Sequence, residues 1–133
     1  MELQVGVKIL LENKDGKYLV ICRSAEKYPE VGAKWDIVGG RIDSSSSLFE
    51  NLRREVREET GLKIKGEPEL VTVQDFFTKN KHIVRLTYFG RGDGEVKLSD
   101  EHTEYRWLSL EEISNLEPMD KYFKEVLAKF YLG

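Results

Sequence analysis

The chain has 133 residues, a formal net charge of −3, and 34% charged against 40% hydrophobic residues. That length leaves room for one core, the composition excludes a disordered chain, and the charge argues against general nucleic-acid binding, which needs a basic footprint. The single cysteine, Cys22, excludes an internal disulfide framework. No apolar run approaches the ~20 residues of a membrane span, and no signal-peptide pattern opens the chain, so the cytoplasm is the expected compartment.

Alternation over Val5–Leu11 predicts a strand, Asn13–Gly16 a turn, and Lys17–Arg23 the returning strand of a β-hairpin. Cys22 lies in that apolar run and reads as a buried strand residue rather than a nucleophile. Residues 24–33, with Pro29 and Gly32, read as a loop. Lys34–Val38 reads as a short strand that delivers the chain to the glycine pair Gly39-Gly40. A polar turn of four serines follows, then a helix over Leu48–Thr60 with serine N-caps and Gly61 as its C′ residue.

At ~100° per residue, Leu48, Phe49, Leu52 and Val56 form one apolar stripe of that helix. Glu55, Glu58 and Glu59 line one flank, with Glu59 nearest the stripe, and Arg53 and Arg57 lie on the other. The spacing i, i+3, i+4 makes the three carboxylates neighbours. Crowded carboxylates repel unless a cation, a proton or basic side chains sit among them. A divalent metal at an active site is the working reading. The bland reading is a solvated helix face, because Glu50–Arg54 and Arg54–Glu58 are i, i+4 pairs.

Further on, Leu70–Phe77 and Ile83–Phe89 read as strands joined by a Thr78–Lys81 turn, and Gly90–Gly94 as a loop. Tyr105–Leu108 reads as a short strand. Ser109 caps a helix at Leu110–Leu116, and Pro118 starts a last helix with Tyr122, Phe123, Val126, Leu127 and Phe130 on or near its apolar face. The pattern predicts an α/β or α+β protein, with helices on both sides of a mostly antiparallel or mixed sheet.

The run Arg54-Glu55-Val56-Arg57-Glu58-Glu59-Thr60-Gly61-Leu62 resembles the second half of the Nudix box. That box reads glycine, five residues, Glu, seven residues, then Arg-Glu-aliphatic-x-Glu-Glu-x-Gly-aliphatic. Gly40 stands at the box glycine and Gly39 doubles it. The apolar hairpin before the box, the Trp35 strand leading into it and Tyr105-Arg106-Trp107-Leu108 after it extend the resemblance over most of the chain. One position departs: the first box glutamate is Ser46 here, which bears on metal affinity and metal number.

The resemblance implies the Nudix fold, an α/β/α sandwich around a mixed β-sheet, as a single domain over residues 1–133. It implies hydrolysis of a nucleoside diphosphate linked to another moiety: a nucleoside triphosphate, ADP-ribose or a nucleotide sugar, or a dinucleoside polyphosphate. Ser99–Leu110 resembles dinucleoside tetraphosphate hydrolases, although similar wording occurs in the ADP-ribose and nucleotide-sugar enzymes. The implied cofactor is Mg²⁺, with Mn²⁺ as a substitute; the hard ion suits oxygen donors and lowers the pKa of bound water. By the same carry-over, Glu55 and Glu59 are direct ligands, Glu58 binds directly or through water, the Gly39 carbonyl contributes, and Arg54 orients Glu55. Glu101, with Glu104 as second choice, supplies a further carboxylate as ligand or general base.

Arg23, at the end of the second strand, is a phosphate-binding candidate, with a surface cation as the equal alternative, and Gly39 and Gly40 complete the substrate side. Phe76, Phe77, Tyr88 and Phe89 fit a strand core, with base stacking as the alternative, for which Phe76 is the candidate. His82 and His102 have no partners at metal-ligand spacing and are read as non-catalytic; Trp35 and Trp107 are read as packing residues. The competing functional class is a nucleotide-sensing Nudix domain that binds without cleaving. RNA-end hydrolysis would want a basic groove, and only Lys79 and Lys81 cluster. The expected partner is a small-molecule nucleotide, with no membrane, and a homodimer is left open.

Overall fold

The computed structural model describes residues 1–132, with side chains through Phe130; Gly133, the end of the expected domain, lies outside the described residues. The strands are β1 (Glu2–Glu12), β2 (Tyr18–Arg23), β3 (Trp35–Asp36), β4 (Val38–Arg41), β5 (Lys65–Phe77), β6 (Lys81–Arg91) and β7 (His102–Leu108). The helices are α1 (Leu48–Thr60), α2 (Leu110–Ser114) and α3 (Lys121–Leu127), the last continuing as a π-helical segment, Ala128–Leu132. No described helix is long and apolar enough to cross a membrane.

The sheet is mixed. β1 runs parallel to β6 along its length, and β6 pairs antiparallel with β5. The opening hairpin forms, but β1 and β2 stay paired only at Glu12–Tyr18. Beyond that point they splay. β2 pairs with β3 and β7, while the free edge of β1 takes up β4. The strand expected over Lys34–Val38 is therefore broken at Ile37, with β3 on one side of the split and β4 on the other. The glycine pair lies inside β4 rather than opening a turn.

Both faces of the sheet are covered, as amphipathic helices require. Leu52 and Val56 of α1, both fully buried, pack on Val7, Ile9, Leu11 and Val38. On the opposite face Ile113, Phe123, Val126 and Leu127 pack on Val20, Cys22, Trp35 and Ile37. Cys22 is a free, buried strand residue. Leu48, expected on the buried stripe, is 37% exposed at the start of α1, and Phe130 is 53% exposed, where the winding has widened from α to π. β5 and β6 run longer than the apolar patterning suggested; in β5 the register shift between Lys65 and Glu69 takes Gly66 and Pro68 into the strand, and that between Leu70 and Thr72 takes up Val71.

Candidate active site

α1 begins with a capping box, in which Ser47 accepts from the Glu50 amide and Glu50 from the Ser47 amide, and ends at Gly61 in the left-handed region, φ 73°. The fully buried Asn51 knits the preceding turn: its Nδ2 donates to the carbonyls of Asp43, Ser46 and Ser47, and its Oδ1 accepts from the Asp43 amide. These bonds set where α1 starts and hence where its glutamates fall against β4. Ser46 sits in this turn and is not among the residues lining the carboxylate pocket.

Each glycine of the pair answers a separate steric demand. Gly39 has φ 149°, and a Cβ there would lie 2.1 Å from the Val7 carbonyl oxygen. A Cβ on Gly40 would lie 2.8 Å from a Glu55 carboxylate oxygen, so its absence lets α1 bring Glu55 onto the strand. The Gly39 amide turns away from the ladder and donates to Glu59 Oε1 at 3.0 Å.

The pocket is lined by Glu55, Glu58 and Glu59 from α1, Gly39, Gly40 and Arg41 from β4, Arg23 from the end of β2, and Ser99, Asp100 and Glu101 from the segment before β7. Two anchors bring that segment across: the Ser99 amide donates to the Glu59 carbonyl at 3.3 Å, and the Ser24 amide to the Glu101 carbonyl at 2.9 Å. Arg54 donates to Glu55 Oε1 at 3.2 Å and lies 3.9 Å from Glu58, so one guanidinium serves two carboxylates. Glu104 points elsewhere and pairs with Arg106 at 3.0 Å.

Glu59 is the buried member, 7% exposed. Burial raises its carboxyl to about 7, with Glu55 and Glu101 pushing further up, against the pull of Lys8 and the Gly39 amide. His102, set aside in the sequence reading, stands beside it: Nε2 is 4.0 Å from Glu59 Oε2, and Nδ1 has no hydrogen-bond partner among the described residues. Burial, then Arg23 and Lys8, press its imidazolium down to about 4. Glu59, Glu101 and His102 offer ligand atoms within 4.8 Å of one another. The only trace of His102 in the sequence is its place next to Glu101. Its approach to Glu59 depends on how β7 docks on β2.

A second cavity, of about 300 Å³, continues from the first and shares Arg23, Gly39, Gly40 and Arg41 with it. It runs over the sheet face that carries Gln4, Gly6, Lys8, Ile83 and Arg85, up to Asp120 at the N-terminus of α3. Lys8 pairs with Asp36 and Arg85 with Asp120, each at 2.8 Å. Phe76 is not brought to the carboxylates. Its ring stacks on Tyr122 of α3 at 3.7 Å, with the Arg85 guanidinium 5.7 Å from its centre.

A capped helix presenting three pocket carboxylates against a glycine-pair strand, over a mixed sheet covered on both faces, defines a Nudix-type pyrophosphohydrolase. The model of the NUDIX domain matches residues 2–130, and the chain belongs to that family. It is 31% identical over 120 residues to nucleoside triphosphatase NudI of Escherichia coli O139:H28, an alignment covering 78% of this chain and 80% of that relative. Its fold superposes on a MutT protein from Methanosarcina mazei Go1 with a TM-score of 0.84 at 33% identity, covering 97% of this chain and 93% of the other. The solution structure of the E. coli ORF135 protein matches with a TM-score of 0.82 at 25% identity, over 99% and 91% of the two chains. Hydrolysis of a pyrophosphate linkage in a nucleotide is the class of reaction.

Proposed function

We propose that the protein hydrolyses nucleoside triphosphates in a Mg²⁺-dependent reaction, with the polyphosphate over the carboxylate pocket and the nucleoside in the adjoining groove. The observation that carries this reading is the continuity of the two cavities through Arg23, Gly39, Gly40 and Arg41. Carboxylates at one end suit a cation, arginines at the junction suit phosphate oxygens, and the groove beyond suits an uncharged ring system. At about 300 Å³ the groove is at the small end of ligand sites and has room for one nucleoside. That favours a triphosphate over a dinucleoside polyphosphate. The relative named a nucleoside triphosphatase points the same way.

The donor set fits the metal. Hard carboxylate oxygens outnumber their cationic partners in the pocket, and burial raises the Glu59 carboxyl to about 7, with Glu55 and Glu101 adding to the rise, a cost that a bound cation would relieve. Glu55 and Glu59 would hold the ion, with Glu58, Glu101 and the Gly39 carbonyl around it. When bound, the ion neutralises phosphate oxygens and lowers the pKa of attacking water. The chain's own contributions are positional: Arg54 orients Glu55, the Gly39 amide aims Glu59, Arg23 and Arg41 offset phosphate charge at the junction, and a carboxylate of the cluster takes the proton of the attacking water.

The test is a panel of nucleoside triphosphates, ADP-ribose, nucleotide sugars and dinucleoside polyphosphates, with and without Mg²⁺, and with product analysis. Mg²⁺-dependent release of nucleoside monophosphate and pyrophosphate from a triphosphate is the expected result. Turnover of ADP-ribose or a nucleotide sugar with inert triphosphates would overturn the substrate assignment, and full activity in EDTA the metal assignment.

A further inference from the structure

Lys8 is a buried lysine to which the reaction described above gives no task. It lies between Val7 and Ile9 in the core strand β1 and is 8% exposed. A buried ammonium persists only with partners. Its Nζ donates to Asp36 Oδ2 at 2.8 Å and to the Ile37 carbonyl at 3.2 Å. The other Asp36 oxygen, Oδ1, accepts from the Ile37 amide at 2.7 Å. Ile37 is the residue at which the chain leaves β3 and enters β4, and it has no ladder partner in either pairing. The Lys8–Asp36 pair thus satisfies the backbone that the split sheet leaves over.

The crossover leads directly into the site. Gly39 stands opposite Lys8 in register, so close that a Cβ there would fall 2.7 Å from Lys8 Cδ. The Gly39 amide is the group that holds Glu59. We propose that Lys8 is a positioning residue for hydrolysis: by clamping Asp36 and the Ile37 carbonyl it sets the course of the chain into Gly39, and with it the direction of the amide that aims Glu59. The proposal rests on the reading of this pocket as the hydrolytic centre.

The test compares wild type with Lys8→Met and with the double variant Lys8→Met/Asp36→Leu, which avoids leaving a buried aspartate without its cation. In ¹H–¹⁵N spectra of the protein in EDTA, the double variant should keep its core amide positions. Its Gly39 amide should move toward the position seen in Glu59→Ala and exchange with solvent at least ~10-fold faster. At saturating Mg²⁺ and nucleotide, kcat should fall ~10–100-fold, the scale of a displaced group near reacting atoms, with KM within ~2-fold of wild type. An unmoved Gly39 amide in the folded double variant would overturn the proposal. A raised KM with kcat retained would also overturn it, making Lys8 a substrate contact in the groove, and so would a loss of activity that merely follows the unfolded fraction. If wild type hydrolyses no nucleotide, the functional reading fails by itself, and the Gly39 amide still decides the clamp.

Discussion

Glu59→Gln should make the protein more stable while destroying its activity, in a pH-dependent way. Burial lifts the Glu59 carboxyl from 4.5 to about 7, so in protein stripped of metal the native state binds a proton that the unfolded chain releases. Stability from this group is therefore full below pH 4.5 and is lost as pH rises through about 7. At ~1.4 kcal/mol per unit, the fully charged side chain costs about 3 kcal/mol at pH 8. Glutamine has no charge to bury, and its Oε1 can still accept from the Gly39 amide. His102 acts in the opposite sense: its pKa falls from 6.5 to about 4, so its stability is full above 6.5 and is lost as pH falls through about 4. In wild type the two contributions oppose each other between pH 4.5 and 6.5, and Glu59→Gln exposes the His102 rise alone.

Urea unfolding in EDTA at pH 5, 6.5 and 8 measures this. The variant should gain about 3 kcal/mol at pH 8, on the order of 10 °C in Tm, and almost nothing at pH 5. Saturating Mg²⁺ should stabilise wild type and leave the variant nearly unmoved. A variant no more stable than wild type at pH 8 in EDTA would refute the buried-charge argument.

Gly40→Ala places a methyl against the Glu55 carboxylate, so the fold should survive by swinging that side chain away while turnover falls at least ~10-fold, read as kcat beside an unchanged Tm. Glu55→Gln should abolish most turnover with the protein still folded; near-parental activity at saturating Mg²⁺ would sink its place at the metal. Leu52→Ala removes a fully buried side chain of α1 and should cost ~2–5 kcal/mol in urea unfolding, its activity loss following the unfolded fraction. Asn51→Ala leaves four hydrogen bonds of the turn before α1 unmade and should cost ~2–3 kcal/mol, with faster amide exchange over residues 43–47.

Local rules carried much of this protein in the sequence alone. The bounds of α1, its serine cap and Gly61 follow from propensity and capping chemistry, which act within a few residues. The placing of Glu59 nearest the buried face follows from helical periodicity, and burial of Leu52, Val56 and Cys22 from apolar patterning. What acts across the chain had to come from the tertiary structure. The splaying of β1 from β2, and the break at Ile37 that follows, depend on which strand edges compete for partners. Single-strand patterning contains no information about that competition. Phe76 has the composition of a base-stacking residue, yet α3 presents Tyr122 to it, and the ring is occupied. His102 lies 43 residues beyond Glu59 and meets it only because two backbone hydrogen bonds fold the segment before β7 over the end of α1. Lys8 falls on the polar phase of its strand's alternation, which marks an exposed side chain, and only the unpaired backbone at the crossover explains why its ammonium is buried there.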